Sequence, residues 1–264
     1  MTESAPAAGG VALNDPFAVL AGPLAAATRM QLEVVDSRPL SPGMQRLVLT
    51  APELAGLEYR PGQDMMLMVA VDGDRPVRRR YTIRALDHGR RLLTLDVVRH
   101  GDGPGERWVE AARPGARIEG IGPRGKIFLA SAVDWHLFIG DDSALPAFFA
   151  VAGALPAGAR ALVILEVPGP AGEQELVTAA DAEVTWLHRD GGAAGDPAAL
   201  VVAAAAVALP PGRGHTYLAG EATVVLRLRE TLAARGLAPE QISPKAYWGR
   251  GRANAVHGEP AKDA

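Results

Sequence analysis

The feature that most constrains this chain is a change of rhythm near residues 128–134. Upstream of it, short β-rich apolar segments recur at 31–35, 44–50, 65–71, 81–84, 92–98 and 117–120. Turn signals such as Ser41-Pro42-Gly43, Arg60-Pro61-Gly62 and Asp72-Gly73-Asp74 separate them. Six short strands spaced in this way predict a small antiparallel β-barrel, since closure leaves no strand edge open. Downstream, apolar strands at 135–139, 160–167, 183–188 and 216–219 alternate with helical patterns at 144–154, 197–207 and 222–235. That alternation predicts a parallel sheet with helices on its faces, an α/β domain. Arg235-Gly236 reads as the end of the last helix, a basic residue followed by a C-cap glycine. The expected organisation is a flexible leader over 1–27, a six-stranded antiparallel barrel domain over 28–131, a parallel-sheet α/β domain over 132–252 and a flexible tail over 253–264.

Composition supports two cores and removes several chemistries. The chain has 264 residues, of which 48% are apolar, enough for two domains. It has no cysteine, which excludes disulfides, thiolate metal sites, cysteine-ligated clusters and thiol nucleophiles, so redox chemistry here needs a bound organic cofactor. The six histidines, at 88, 100, 136, 188, 215 and 257, show no ligand spacing, and no protein-bound metal is expected. A net charge of -3 argues against bulk binding of nucleic acid. The longest strongly apolar run, 200–209, is about half a membrane span and closes on Pro210-Pro211. No basic region precedes the small-residue run at the start, so a secretory signal is not expected. The chain reads as a cytoplasmic monomer without a membrane span.

Two segments carry the chemistry. Arg79-Arg80-Tyr81-Thr82 opens a predicted strand. A guanidinium there can fork onto a diphosphate, a phenol ring can lie against an isoalloxazine, and the Thr hydroxyl can reach the flavin edge. The same four residues also suit a basic strand start beside a core tyrosine. His100-Gly101-Asp102-Gly103-Pro104-Gly105-Glu106-Arg107-Trp108 follows the strand at 92–98 and enters a short helix. Glycines at a helix entry let backbone amides approach phosphate.

With these segments in order, the chain resembles the siderophore-interacting protein family, the flavin-dependent ferric-siderophore reductases of the ferredoxin-reductase-like superfamily. The matching stretches are 79–84, 100–108, Gly122-Pro123, Gly140-Asp141-Asp142-Ser143-Ala144-Leu145-Pro146-Ala147, Ala219-Gly220-Glu221 and Tyr247-Trp248-Gly249-Arg250-Gly251. The resemblance implies that Arg79, Tyr81 and Thr82, beside Arg80, hold FAD. It implies that the backbone from Val98 to His100 and the turn with Gly103, Gly105, Arg107 and Trp108 hold its ribityl and diphosphate. It also implies that Asp141, Ser143, Ala144 and Glu221 face NADPH or NADH, although Glu221 could equally cap the helix that follows it. The implied reaction passes a hydride from NAD(P)H to the flavin and then single electrons to Fe(III) in a siderophore, releasing Fe(II).

One departure bears on the cofactor. The family usually has Ala and then Ser or Thr where this chain has Gly105 and Glu106. A carboxylate there either turns outward, leaving backbone amides to hold the diphosphate, or repels it; the outward turn is the expectation. Anionic ferric siderophores call for a basic lip, for which Arg46, Lys245, Arg250 and Arg252 are the candidates. Arg189 suits either a 2'-phosphate or an exposed strand end, so the sequence leaves NADH and NADPH open. Two other readings stand beside the reductase: a general flavin reductase or electron-transfer partner, with ferredoxin as a further partner, and a binding module that has lost FAD.

Overall fold

The computed structural model describes residues 26–72, 75–99, 101, 103–125 and 128–250. The leader up to residue 25, the tail, His100 and Arg252 lie outside the described residues. Six antiparallel strands form a closed barrel in the order β1-β2-β5-β4-β3-β6: β1 Thr28–Ser41, β2 Met44–Thr50, β3 Asp64–Asp72, β4 Arg75–Asp87, β5 Leu92–Val98 and β6 Arg117–Arg124. Closure depends on β1 being long. Its first half pairs with β6 and its second with β2, so one strand joins both ends of the sheet. Alternation puts Leu32, Leu47, Leu49, Met65, Leu67, Ile83, Leu93 and Leu95 inside, all fully buried. Each such side chain contributes about 1.5–3 kcal/mol over its exposed state. The helix α1, Pro104–Ala111, crosses between β5 and β6.

The expected strand at 81–84 is the middle of a longer one. Residues 75–82 of β4 pair with β3, and residues 83–87 pair with β5. Arg78, Arg79 and Arg80 show no apolar alternation, so pairing with Met68, Leu67 and Met66 of β3, rather than local pattern, makes them strand. The two arginines of the cofactor segment are therefore held inside a ladder and not at its start.

The second domain is a five-stranded parallel sheet in the order β11-β10-β7-β8-β9. Its strands are β7 Trp135–Asp141, β8 Arg160–Val167, β9 Asp181–His188, β10 Gly214–Glu221 and β11 Ile242–Trp248. Helix α2, Leu145–Gly153, packs on one face, and α3, Ala198–Ala206, and α4, Ala222–Ala234, on the other. Arg235 acts on a neighbouring helix: its guanidinium donates to the carbonyls of Ala204 and Val207 at the end of α3, both at 2.7 Å. Gly236 then takes φ 92°, the conformation that suits a glycine cap. Among the described residues no helix is long and apolar enough to cross a membrane.

The domains are tied together at several points. Met44 and Leu129 belong to the core under α2, with Leu40 and Val98 packed against it. The connecting segment is anchored where Ala130 N donates to the Tyr217 hydroxyl at 2.7 Å. Burial raises the Tyr217 phenol above its ordinary range, and burial with His215 nearby lowers His136 to about 4, so both stay neutral in this packing. Arg84 lies 5.8 Å over the Phe149 ring of α2.

Candidate functional site

The barrel domain brings the two sequence segments together, with α1 packed on β4. Along β4, Ile83 enters the barrel core and Tyr81 packs against that core, with Arg79 on the same side. Arg80, Thr82 and Arg84 alternate to the other side, where Arg84 meets the second domain. The amino end of α1 sits on Tyr81 and Arg79. A Cβ at Gly105 would lie 2.7 Å from the Tyr81 hydroxyl and 3.0 Å from Arg79 Cγ, so this close approach needs glycine. Gly103 is the N-cap, Pro104 follows, and no side chain caps the helix. Its first amides are thus left uncapped by any side chain, and the stem of Arg79, whose guanidinium donates to the Arg78 carbonyl at 2.9 Å, lies against the same helix entry. That donor set, positive and backbone-rich at a helix entry, fits a diphosphate, and the adjoining phenol fits a flat ring system, so these residues fit FAD.

Glu106, expected to turn outward from the diphosphate, turns to a cation of the barrel. Its side chain is 13% exposed, and its Oε1 accepts from Arg99 Nε at 3.2 Å. Arg99 also reaches Glu110 at 3.6 Å, and its backbone N donates to Gly43 O at 2.8 Å. The carboxylate beside the anion seat is thus answered by a guanidinium fixed to the barrel. Arg107 is exposed on α1, and Trp108 packs against the barrel core.

The second group of expected residues lies at the carboxyl ends of the parallel strands, where ligands bind in open α/β sheets. Asp141, buried, accepts four hydrogen bonds. Oδ1 takes Ser143 N at 3.0 Å and Ser143 Oγ at 2.5 Å; Oδ2 takes Glu221 N and Trp248 Nε1, each at 2.9 Å. Burial, with Asp142 adding to it, raises the Asp141 carboxyl above its usual range, while these bonds pull it back. Gly140 cannot carry a side chain, since a Cβ would meet Ala219 O at 2.2 Å. Ala144 is buried in the core under α2. Glu221 caps α4, taking Thr223 N at 2.6 Å and Val224 N at 3.0 Å, while its other oxygen takes Arg250 N at 3.2 Å. The functional groups expected to face the nicotinamide are thus engaged inside the protein.

The expected substrate cations separate. Arg46 grips Asp96 through two bonds of 2.7 and 2.8 Å, which raise its pKa. Arg84 lies 3.7 Å from the same carboxylate, and burial lowers its pKa. Lys245 turns inward to Asp64 at 3.7 Å, and Asp64 accepts from Arg80 Nε at 2.8 Å and Nη2 at 2.5 Å. Arg80 and Lys245, read from sequence as cofactor and substrate ligands, share one barrel carboxylate. Arg250 keeps an exposed guanidinium that donates to Ala194 O at 2.6 Å. Arg189 is not an exposed strand end: it is 10% exposed and clasped by Asp142 at 2.6 Å and Glu166 at 3.4 Å. Asp64 and Arg99 were not singled out in the sequence, because neither stands in a local motif.

A small, mostly apolar cleft lined by Gly62, Phe148, Tyr217, Ala219, Lys245 and Tyr247 opens between the domains. Comparison with known proteins adds the following. Residues 133–251 match a family model described as Siderophore-interacting protein, and residues 66–127 match one described as Siderophore-interacting FAD-binding domain. An uncharacterized protein of Mycobacterium tuberculosis is 34% identical over 254 residues, covering 83% of this chain and 90% of the relative. Ferric vibriobactin reductase ViuB of Vibrio cholerae is 29% identical, covering 86% of this chain and 92% of the relative. The crystal structure of a siderophore utilization protein from T. fusca matches with a TM-score of 0.80 at 33% identity, covering 89% of this chain and 98% of that one.

Proposed function

Because the chain belongs to the siderophore-interacting protein family, we propose that it is an FAD-dependent oxidoreductase that passes electrons from NAD(P)H to Fe(III) in a siderophore, releasing Fe(II). The observation that carries this reading is the amino end of α1 seated on Tyr81 and Arg79. FAD, when bound, supplies the conversion of a two-electron donor into a one-electron reductant. Arg79 and the first amides of α1, around Gly103 and Gly105, hold the diphosphate. Arg99 neutralises Glu106 so that its charge does not oppose that binding. Tyr81 offers a neutral ring surface, since burial raises its phenol well above the ordinary range. The Thr82 hydroxyl meets the ring edge, and the Val98 backbone, Arg107 and Trp108 border the ribityl side. In this reading residues 28–131 form the FAD-binding unit and 132–252 the nicotinamide-binding unit, with Arg250 as the retained substrate cation. Such a reductase works where NAD(P)H is supplied, so we place it in the cytoplasm. We read it as a monomer, with ferredoxin as an alternative electron partner.

The test is direct. Purified protein supplied with FAD should be yellow, and its reduced form should be reoxidised by ferric siderophores faster than by oxygen, ferredoxin or free flavin in stopped flow. Siderophores no faster than oxygen would reject the substrate; faster transfer to ferredoxin would favour an electron-transfer partner; failure to bind FAD would leave a binding module.

The clasp on Arg189 bears on the nucleotide. With Asp142 and Glu166 already on its guanidinium, a 2'-phosphate must compete with two carboxylates, which favours NADH. Asp142→Asn should therefore raise the ratio of kcat/KM for NADPH over NADH by about three- to tenfold. Inhibition by 2',5'-ADP should strengthen in parallel with it. An unchanged ratio would remove Arg189 from the nucleotide site.

A further inference from the structure

We infer that Asp64, Arg80 and Lys245 form an interdomain charge latch that fixes a net positive charge beside the flavin seat and thereby raises the reduction potential of the bound flavin; this rests on the reading of Tyr81-Thr82 as that seat. Asp64 lies on β3 directly opposite Thr82 of β4 in the antiparallel register. Its carboxylate, 4% exposed, is held by the Arg80 guanidinium in a two-bond fork at 2.8 and 2.5 Å. Lys245 comes from the other domain. It lies on β11 opposite Ala219 of β10, and its ammonium, 16% exposed, crosses the cleft to 3.7 Å from Asp64 Oδ2. The same ammonium stands 5.1 Å over the Tyr247 ring, a second contact that holds it at the cleft wall.

Two cations against one carboxylate leave one net positive charge in a half-buried place, where water screens it less than at the surface. Reduction loads negative charge onto a flavin ring, so a fixed cation nearby stabilises the reduced form more than the oxidised one. Arg80 alone would be cancelled by Asp64; the surplus charge is that of Lys245. Lys245 and Asp64 are therefore positioning residues with opposite signs of effect, and the charge is in place only when the two domains are docked.

The experiment is the midpoint potential of the FAD-loaded full chain, measured by spectroelectrochemistry for the parent and for three variants. Lys245→Met should lower the potential, with the ratio of reduced- to oxidised-FAD affinity falling about tenfold, which is about 30 mV for a two-electron couple. Lys245→Arg should restore the parent value. Asp64→Asn should move it in the opposite direction, upward, because it leaves two cations uncancelled. A latch that only holds the domains together would move Lys245→Met and Asp64→Asn the same way, and that result overturns the inference, as does a Lys245→Met value equal to the parent. Should Asp64→Asn fail to fold by circular dichroism, the pair Lys245→Met and Lys245→Arg still decides. A parent chain that takes up no FAD rejects the flavin seat itself, whereas FAD bound at an unshifted potential in Lys245→Met rejects only the latch.

Discussion

Replacing Asp141 with alanine is expected to destabilise the chain by about 3–5 kcal/mol, the range for removing one partner of a buried charged network. In a protein of this size that corresponds to a fall in Tm of roughly 10 °C. The carboxylate joins three places that the chain brings together late: the turn after β7 through Ser143, the start of α4 through Glu221 N, and the end of β11 through Trp248 Nε1. Alanine leaves the buried Glu221 N and the part-buried Ser143 and Trp248 donors unmatched, and an unmatched buried donor costs about 1–3 kcal/mol. Thermal unfolding followed by circular dichroism is the measurement; a Tm within about 2 °C of the parent would reject the role. The protonation of Asp141 gives a second readout. Burial and Asp142 hold its folded pKa above the unfolded value of 3.8, so the folded chain binds that proton more tightly. The associated stability is complete below the unfolded value and is lost as pH rises through the folded one. Asp141→Asn should abolish that part of the pH dependence of the urea midpoint.

Arg79→Ala should weaken FAD binding by about 10- to 150-fold, the loss expected when charge-assisted hydrogen bonds to a diphosphate are removed. The Arg79 side chain lies against the amino-terminal turn of α1, whose amides remain in the variant, so binding weakens without vanishing. Arg78→Ala is the control. It lies next to Arg79 on the same strand but is exposed and alternates to the other side. Fluorescence titration of flavin-free protein measures both variants, and equal losses would show only a general effect of positive charge on β4.

The two-domain architecture was legible because it rests on period: short alternating strands first, then strand and helix in turn. The helices at 144–154, 197–207 and 222–235 were expected within a residue or so of where they lie. What local pattern could not give is the partner of each charged residue. Arg80 meets Asp64 across 16 positions, Arg46 meets Asp96 across 50, and Trp248 meets Asp141 across 107. In sequence Asp64 is a lone acid after a turn, and Glu106 a carboxylate with no visible cation; Arg99, seven residues away, becomes its partner only when α1 folds back on the end of β5. The motif residues Asp141 and Glu221 were noticed because they stand in a recognisable pattern. Their burial and hydrogen bonds give them a structural task as well, as staple and helix cap.

The sheet order carries a consequence for how the protein is made. The barrel strands leave the ribosome first and can close on one another, but β11, which supplies Lys245 to Asp64 and Trp248 to Asp141, is the last strand of the sheet to be synthesised and takes its place at an edge beside β10. Until it emerges, two buried carboxylates, one in each domain, lack their final partners. Biosynthesis thus withholds the completed cleft until nearly the whole described chain is present, and a translation product stopped before β11 would carry a finished barrel beside an unfinished second domain.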